Sequence, residues 1–297
     1  MSLSKVPLLA AMAFQSLVVA QPRAANADTA SGAVEAAVSG QGQPIVLVGG
    51  GLQGRDSWGP VLPRLETMRR VVRPQNLNVA FGVEGQDLPS GYSVRMESAA
   101  LRRALDKLAL KGPVDVIGWS SGGAIALDFA LGNPERIRSL TLIEPAAFWV
   151  LTPNDRSDRS LARMAELARN LKGEITEEQF EAFMCGNGSF NCAEASPRTS
   201  PLWSRLVRYK QALNGLGAYV DHADSVDRLR SFRKPVLIIT GSQSPGFARN
   251  VNQSLARHIS SSESVELPGG HASFLTSPDL FFEKLAGFLQ RAGGALR

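Results

Sequence analysis

The sequence predicts a doubly wound α/β fold, in which helices cover both faces of a mostly parallel sheet. Two features support this: short apolar runs, and segments between them whose apolar residues recur at helical spacing. The apolar runs are nearly continuous in valine, isoleucine and leucine, as expected for strands that are buried on both faces. Strands that alternate with helices favour a parallel sheet.

Six runs predict strands: PIVLV (44–48), RVVRP (70–74), VDVIG (114–118), LTLIE (140–144), PVLIIT (235–240) and SVELPG (264–269). Between them, residues 93–112 carry apolar side chains at helical spacing and end at Gly112. A second helix is expected to begin at Ser120 and to break at Asn133 and Pro134. The final helix is expected to open with a serine cap at Ser277, followed by a proline in its first turn.

The alternation fails from about residue 148 to residue 222, where the pattern is polar and helical. The simplest interpretation is a helical cap inserted between two strands of the sheet. It would cover the carboxyl ends of the strands, where ligands bind in open α/β sheets. The predicted organisation is therefore a core of residues 28–147 and 223–297 with a cap of residues 148–222.

The pattern of residues 1–27 predicts a secretory signal peptide. Lys5 precedes an apolar run that ends at Ala20, and the small residues ANA follow before Asp28. Cleavage is expected after Ala20 or Ala27, which predicts a secreted or periplasmic protein. The apolar run is too short for a comfortable bilayer span, so no stable membrane span is expected after cleavage.

Charge and cysteine content bear on three further properties: nucleic-acid binding, disulfide formation and metal binding. The formal charge of +5 falls to +3 once residues 1–27, which hold two basic residues and no acid, are removed. The arginines are scattered, so nucleic acid is not an expected partner. The two cysteines, Cys185 and Cys192, lie a short turn apart, and in an exported protein this favours a disulfide. No second pair or neighbouring histidine accompanies them, so no metal site is predicted.

The segment VIGWSSGGAIAL (116–127) carries the strongest chemical signal. Ser120 lies between Gly118 and Gly122, directly after a predicted strand and before a predicted helix. This is the setting of the G-x-S-x-G nucleophile elbow, a turn so tight that the neighbouring side chains must be small. The alternative interpretation is an ordinary glycine-rich loop.

A serine nucleophile needs a base, and the chain has three histidines. His271 follows the last predicted strand, so it is expected at the carboxyl edge of the sheet beside Ser120. His222 lies at the exit of the predicted cap, and His258 lies in a helix-like run. We therefore predict that His271 is the base.

The base in turn needs an orienting acid. Glu144 ends the strand that follows the nucleophile helix, and this gives the chain order serine, acid, histidine. Asp221 and Asp224 are the alternatives. The strand that ends near Thr240 is followed by SQSPG, which contains no carboxylate.

The remaining predicted site residues surround the nucleophile. The Ser121 N–H is expected to bind the oxyanion, together with the N–H of Gly51 or Leu52 in the loop GGGLQG. Trp119, Phe148 and Trp149 suggest an apolar substrate pocket, although each could equally pack the cap against the core.

These residues resemble the α/β-hydrolase superfamily. GWSSGG is similar to the nucleophile elbow, LPGGHASF to the terminal histidine loop, and VGGGLQGRDSW to the oxyanion loop, with Gly49 where many members have histidine. Many members carry aspartate in a Gly-x-x-Asp pattern where this chain has Ser244. The placement of Glu144 instead resembles haloalkane dehalogenases and zearalenone-type lactone hydrolases, and serine at 120 distinguishes the chain from the dehalogenases, which use aspartate.

The resemblance implies an α/β-hydrolase fold and a serine hydrolase that cleaves an ester or lactone of a small, largely apolar molecule without a cofactor. Two alternatives stay open. The same fold supports carbon–carbon bond hydrolysis and cofactor-free perhydrolysis. The second alternative is a non-catalytic hydrolase homologue that binds a small molecule, although the intact set of serine, histidine and acid argues against it.

Overall fold

A seven-stranded sheet forms the centre of the protein in a computed structural model that describes residues 34–293. The predicted signal peptide lies outside the described residues. The strands are β1 (Ala36–Ser39), β2 (Pro44–Val48), β3 (Arg70–Pro74), β4 (Val114–Trp119), β5 (Ile137–Ile143), β6 (Val236–Gly241) and β7 (Ser262–Leu267).

The sheet has the strand order β1-β3-β2-β4-β5-β6-β7. Only β1 runs antiparallel to its neighbour, and every other pair is parallel. The predicted doubly wound α/β class is therefore confirmed, and all six predicted strands are present. The seventh, β1, is a half-buried edge strand of sequence AAVS, too short to give an apolar run.

Helices connect and cover the strands. The α-helices are α1 (Leu62–Met68), α2 (Leu77–Val83), α3 (Val94–Lys107), α4 (Ser121–Gly132), α5 (Arg159–Asn170), α6 (Glu177–Gly186), α7 (Trp203–Leu206), α8 (Gly217–Asp221), α9 (Val226–Ser231), α10 (Gly246–His258), α11 (Ser273–Thr276) and α12 (Pro278–Arg291). Short 3₁₀ segments cover Gly54–Trp58, Pro134–Arg136, Phe148–Val150, Asp155–Ser157, Pro197–Thr199 and Val207–Leu213.

One helix boundary and one helix cap differ from the sequence expectation. Helix α3 ends at Lys107 rather than at Gly112, because Ala109 adopts a left-handed φ of 57° and the next N–H turns back to the Leu105 carbonyl. Ser277 precedes α12 but does not cap it with its side chain, since its hydroxyl donates to the Pro268 carbonyl at 3.0 Å.

Alternate side chains of the strands enter two apolar layers, as the period of a strand requires. On one face, residues such as Val46, Val116 and Leu140 pack with α3 and α4. On the other, residues such as Ile45 and Ile117 pack with α1, α11 and α12. Both faces of the central strands are therefore buried, which explains their continuous apolar sequences.

Residues 148–222 form helices and no strand, between β5 and β6. Their apolar side chains, including Leu161, Phe180 and Tyr219, join the same core layer as α3 and α4. The exact domain boundaries stay a prediction. Among the helices of residues 34–293, none has both the length and the apolar character required to cross a bilayer.

Candidate active site

Ser120 occupies a strained turn between β4 and α4. Its φ of 56° lies in the left-handed region, which costs a non-glycine residue on the order of 1–3 kcal/mol. The turn is held from both sides, because the Ser120 N–H donates to the Ile143 carbonyl at 3.0 Å and its carbonyl accepts from the Ala146 N–H at 3.0 Å. Neighbouring structure thus fixes the unusual backbone of this one residue.

The glycines on either side of Ser120 are required by close backbone contacts. A Cβ atom at Gly122 would lie 2.3 Å from the carbonyl oxygens of Val48 and Gly49. One at Gly118 would lie 2.5 Å from the Gly122 carbonyl oxygen. The strand–turn–helix context therefore distinguishes this segment from an ordinary glycine-rich loop.

His271 and Glu144 form a buried pair. The distance between His271 Nδ1 and Glu144 Oε2 is 2.7 Å, and the two side chains are 10% and 0% exposed. His271 lies in the loop after β7, and the Trp119 Nε1–H donates to its backbone carbonyl at 2.9 Å. The pairing leaves Nε2 as the histidine nitrogen that is free to face a reacting group.

Glu144 is held by two further donors. Its Oε1 atom accepts from the Gly241 N–H at 2.7 Å and from the Ser244 hydroxyl. Burial alone would raise the pKa of this carboxyl, but the hydrogen bonds from His271, Ser244 and Gly241 outweigh burial and lower it below the usual 4.5. Glu144 is therefore a carboxylate at neutral pH.

Ser244 is thus a residue whose role the sequence did not reveal. It occupies the position where many α/β hydrolases have the acid, and here its hydroxyl binds the acid that comes from β5. Only the tertiary contact between the loop after β6 and the residue after β5 shows this relation.

The alternative acids lie elsewhere. Asp221 pairs with Arg169 at 2.9 Å, and Asp224 pairs with Arg228. Asp221 lines a separate cavity of about 740 Å³, whose lining includes neither Ser120 nor His271.

His222 also lines that separate cavity and not the candidate site. Its Nε2 lies 3.7 Å from Asp128 Oδ1, and burial lowers its pKa. The ligand atoms of Asp128, His222 and Asp224 lie within 4.8 Å of one another, so this is a cluster in the described chain that could hold a cation. Arg228 already neutralises Asp224 there.

Ser120 and His271 open to a cavity of about 510 Å³, which we call the main cavity. Trp119 lines this cavity, and so do side chains of the helical segment such as Phe183 and Leu206. No hydrogen bond joins the Ser120 hydroxyl to His271 within the described residues.

A smaller chamber of about 60 Å³, the inner chamber, adjoins Ser120, Glu144 and His271. Phe148 lines this chamber, whereas Trp149 lies outside the lining of both cavities. Trp149 is buried and its ring faces that of His222 edge-on at 6.5 Å, so it packs the helical segment against the core instead of forming the pocket.

The predicted oxyanion donors lie together at the main cavity. Gly51, Leu52 and Ser121 all line it. Ser121 is the first residue of α4, and the N–H groups of a first helical turn have no acceptor within the helix. A Cβ atom at Gly51 would lie 2.7 Å from Ser121 Oγ, so the loop approaches the start of α4 closely.

Two asparagines that belong to none of the sequence motifs anchor this loop. The Asn78 Nδ2 group donates to the carbonyls of Gly51 at 2.6 Å and of Ala212 at 2.5 Å. The Asn76 Nδ2 group donates to the Gly49 carbonyl at 2.9 Å. The Asn78 side chain is fully buried, and its two hydrogen bonds join the loop to the helical segment.

Glu97 in turn holds the start of α2. Its buried carboxyl accepts the N–H groups of Leu77 and Asn78 at 2.8 and 3.0 Å and the Tyr92 hydroxyl at 2.7 Å. Burial raises the pKa of this carboxyl despite those bonds. The polar residues in QNLNVAF, directly after a buried strand, were the only sequence signal for this network.

Comparison with known proteins places the chain among hydrolases. Residues 43–278 match the family model described as the alpha/beta hydrolase fold. A pimeloyl-[acyl-carrier protein] methyl ester esterase of Vibrio vulnificus is 25% identical over 256 residues, covering 84% of this chain and 95% of the esterase. A 2-hydroxy-6-oxo-2,4-heptadienoate hydrolase of Pseudomonas putida is 39% identical over 107 residues, covering 35% of this chain and 38% of that enzyme.

Among solved structures, a hydrolase from Pseudomonas aeruginosa PA01 has a TM-score of 0.70 and 24% identity. The alignment covers 86% of this chain and 93% of that one, which supports the fold.

Proposed function

The chain belongs to the α/β-hydrolase fold family, and from that premise we propose that it is a serine hydrolase that cleaves a carboxylic ester or lactone through an acyl-enzyme. One observation carries the proposal. His271, which pairs with the buried Glu144, lines the same cavity as Ser120, and Ser120 occupies the strained turn between β4 and α4.

In the proposed reaction, the Ser120 hydroxyl attacks the substrate carbonyl and passes its proton to His271 Nε2. The tetrahedral intermediate collapses when this proton moves to the leaving alkoxide, which departs as the alcohol. Water then attacks the acyl-enzyme, with His271 again accepting a proton and returning it to the Ser120 oxygen.

Glu144 supports the base rather than reacting itself. As a carboxylate it accepts the Nδ1–H of His271, which keeps Nε2 unprotonated before attack and stabilises the imidazolium afterwards. The N–H of Ser121 and that of Gly51 or Leu52 are the proposed donors to the oxyanion. This scheme uses no cofactor.

The lining of the main cavity supports a small, largely apolar substrate. A volume of about 510 Å³ is in the usual range for small-molecule sites. Beside polar residues such as Asp56 and Arg205, the lining includes six large apolar side chains: Phe183, Met184, Phe190, Leu202, Leu206 and Leu275.

A second candidate function is hydrolysis of a carbon–carbon bond by the same residues. The similarity to the Pseudomonas putida hydrolase favours it, because a 2-hydroxy-6-oxo-2,4-heptadienoate contains no ester bond. Turnover of such a dienoate in preference to esters would replace the first proposal with this one.

The test is a release assay with p-nitrophenyl esters of increasing chain length and a panel of small lactones. We expect turnover by the wild type, loss of turnover in Ser120→Ala, and retention in the control Asp221→Asn, whose side chain lies outside the main cavity. If a fluorophosphonate labels Ser120 but no ester or lactone is cleaved, the reaction class is wrong. If Ser120 is not labelled, the non-catalytic binding alternative replaces the proposal.

We also propose that the protein is exported. The N-terminal pattern of residues 1–27 and the disulfide between Cys185 and Cys192 support this. N-terminal sequencing of the mature protein should find cleavage after Ala20 or Ala27. An intact N-terminus in a cytoplasmic fraction would contradict export.

A further inference from the structure

A disulfide closes a short loop at the edge of the main cavity. Cys185 lies in α6, and its sulfur is bonded to that of Cys192, seven residues later. We call residues 185–192 the disulfide loop. Asn187, Ser189 and Phe190 of this loop line the same cavity as Ser120. The cross-linked segment is therefore part of the cavity wall.

The disulfide loop also touches the loop that carries His271 and the loop that carries Ser244, whose hydroxyl binds Glu144. A Cβ atom at Gly270, directly before His271, would lie 2.8 Å from the Gly188 carbonyl oxygen. A Cβ atom at Gly188 would lie 2.7 Å from Cδ of Pro245, directly after Ser244. The backbone of the disulfide loop thus abuts the catalytic centre on one side.

The hydrogen bonds within the disulfide loop are local. The N–H groups of Ser189 and Phe190 both donate to the Met184 carbonyl at 3.2 Å, and the Ser189 N–H also contacts Asn187 Oδ1 at 2.8 Å. These bonds secure the first half of the loop to the end of α6. The second half, after Phe190, is secured to α6 by the covalent bond between Cys185 and Cys192.

We propose that the disulfide loop is the specificity-determining wall of the main cavity, and that its disulfide holds Phe190 in position against the substrate. This inference rests on the proposed ester hydrolysis. Reduction by a dithiol such as dithiothreitol transfers two electrons and two protons, which gives two thiols and the oxidised cyclic reagent. The loop should then loosen, while Ser120, His271 and Glu144 keep their own contacts.

The experiment compares oxidised wild type, Cys185→Ser/Cys192→Ser, Phe190→Ala and the control Tyr209→Ala, an aromatic residue of the helical segment outside the lining of the main cavity. Two ratios of kcat/KM are measured. The first compares p-nitrophenyl octanoate with p-nitrophenyl acetate, which share a leaving group. The second compares benzyl with methyl hexanoate, which share an acyl group.

We expect at least one ratio to fall by about tenfold in the double variant and in Phe190→Ala, since a few contacts in an apolar pocket discriminate by this order. In the double variant, whose two cysteines lie outside the lining of the main cavity, turnover of the smaller substrate should stay within about twofold of the wild type. Reduction of the wild type should lower the same ratio, and reoxidation should restore it. The control should match the wild type.

Unchanged ratios in both Phe190→Ala and the double variant would overturn the inference. A uniform loss on large and small substrates would also overturn it, since this would assign the loop a general structural role. An absence of wild-type turnover on every ester would instead refute the proposed function, and the inference would fall with its premise.

Discussion

Replacing Glu144 by glutamine tests the proposed triad, because the substitution changes which nitrogen of His271 carries the ring proton. The carboxylate accepts from three donors, two of which, the Gly241 N–H and the Ser244 hydroxyl, meet the Oε1 atom. The third, His271 Nδ1, meets Oε2 at 2.7 Å. A glutamine amide has one accepting oxygen and one donating NH₂ group, so it has to present the NH₂ group to one of the two sides.

The structure decides which side that is. If the NH₂ group faced Gly241 and Ser244, it would be a donor placed against donors. The buried Gly241 N–H would then lack an acceptor, at a cost of about 1–3 kcal/mol. Facing the NH₂ group toward His271 requires only that Nδ1 become the acceptor, which moves the ring proton to Nε2. The base is then blocked at the atom that must accept the Ser120 proton.

The expected loss in kcat is large. A reversed histidine tautomer in a serine–histidine–acid triad costs about 10⁴ in kcat in the well-studied case. We expect a decrease of about 10³–10⁴-fold, equivalent to about 4–5.5 kcal/mol of activation free energy. KM should change little, since the Glu144 side chain is fully buried behind His271.

The assay is steady-state hydrolysis of p-nitrophenyl acetate by wild type, Glu144→Gln and the exposed control Asp221→Asn. Thermal unfolding of each variant checks that it is folded at the assay temperature. A decrease of less than about tenfold in kcat for Glu144→Gln would show that the orienting acid lies elsewhere.

Three further predictions follow from the same contacts. Ser244→Ala removes one donor to the Glu144 carboxylate but leaves the His271 tautomer unchanged, so kcat should fall by only about tenfold in the same assay. Asn78→Ala leaves the carbonyls of Gly51 and Ala212 without their donor, so urea titration should give a free energy of unfolding lower by about 2–4 kcal/mol; an unchanged value would contradict this. The folded-state pKa of Glu144 lies below 4.5, so its ionisation stabilises the fold above that pH and the contribution is lost as the pH falls through the lowered value. Urea titrations between pH 3 and 6 should therefore show a steeper loss of stability at acid pH for the wild type than for Glu144→Gln.

The strands were predictable from sequence wherever both faces of the sheet are buried. Runs such as PIVLV and PVLIIT are apolar throughout because both of their faces are covered. The edge strand β1 left no such pattern, since it has four residues and one strand partner. The position of Glu144 was predictable for a similar reason: the carboxyl ends of parallel strands share one edge, so a carboxylate there can meet His271.

Side-chain contacts between distant segments were not predictable in this way. Trp149 and Phe148 are adjacent in sequence, yet one packs in the core and the other lines the inner chamber. The links from Asn78 to Ala212 and from Ser244 to Glu144 span 134 and 100 residues. Such links depend on how the helical segment and the loops meet, which no local pattern encodes.

In the proposed reaction, Ser120 becomes acylated. The most direct measurement is rapid acid quenching of the enzyme during turnover of p-nitrophenyl acetate, followed by intact-mass analysis and peptide mapping. We expect a single acetyl group on the peptide that contains Ser120 in the wild type, and none in Ser120→Ala. An acetyl group on another residue, or nitrophenol release by the wild type with no covalent adduct at any quench time, would contradict the proposed reaction.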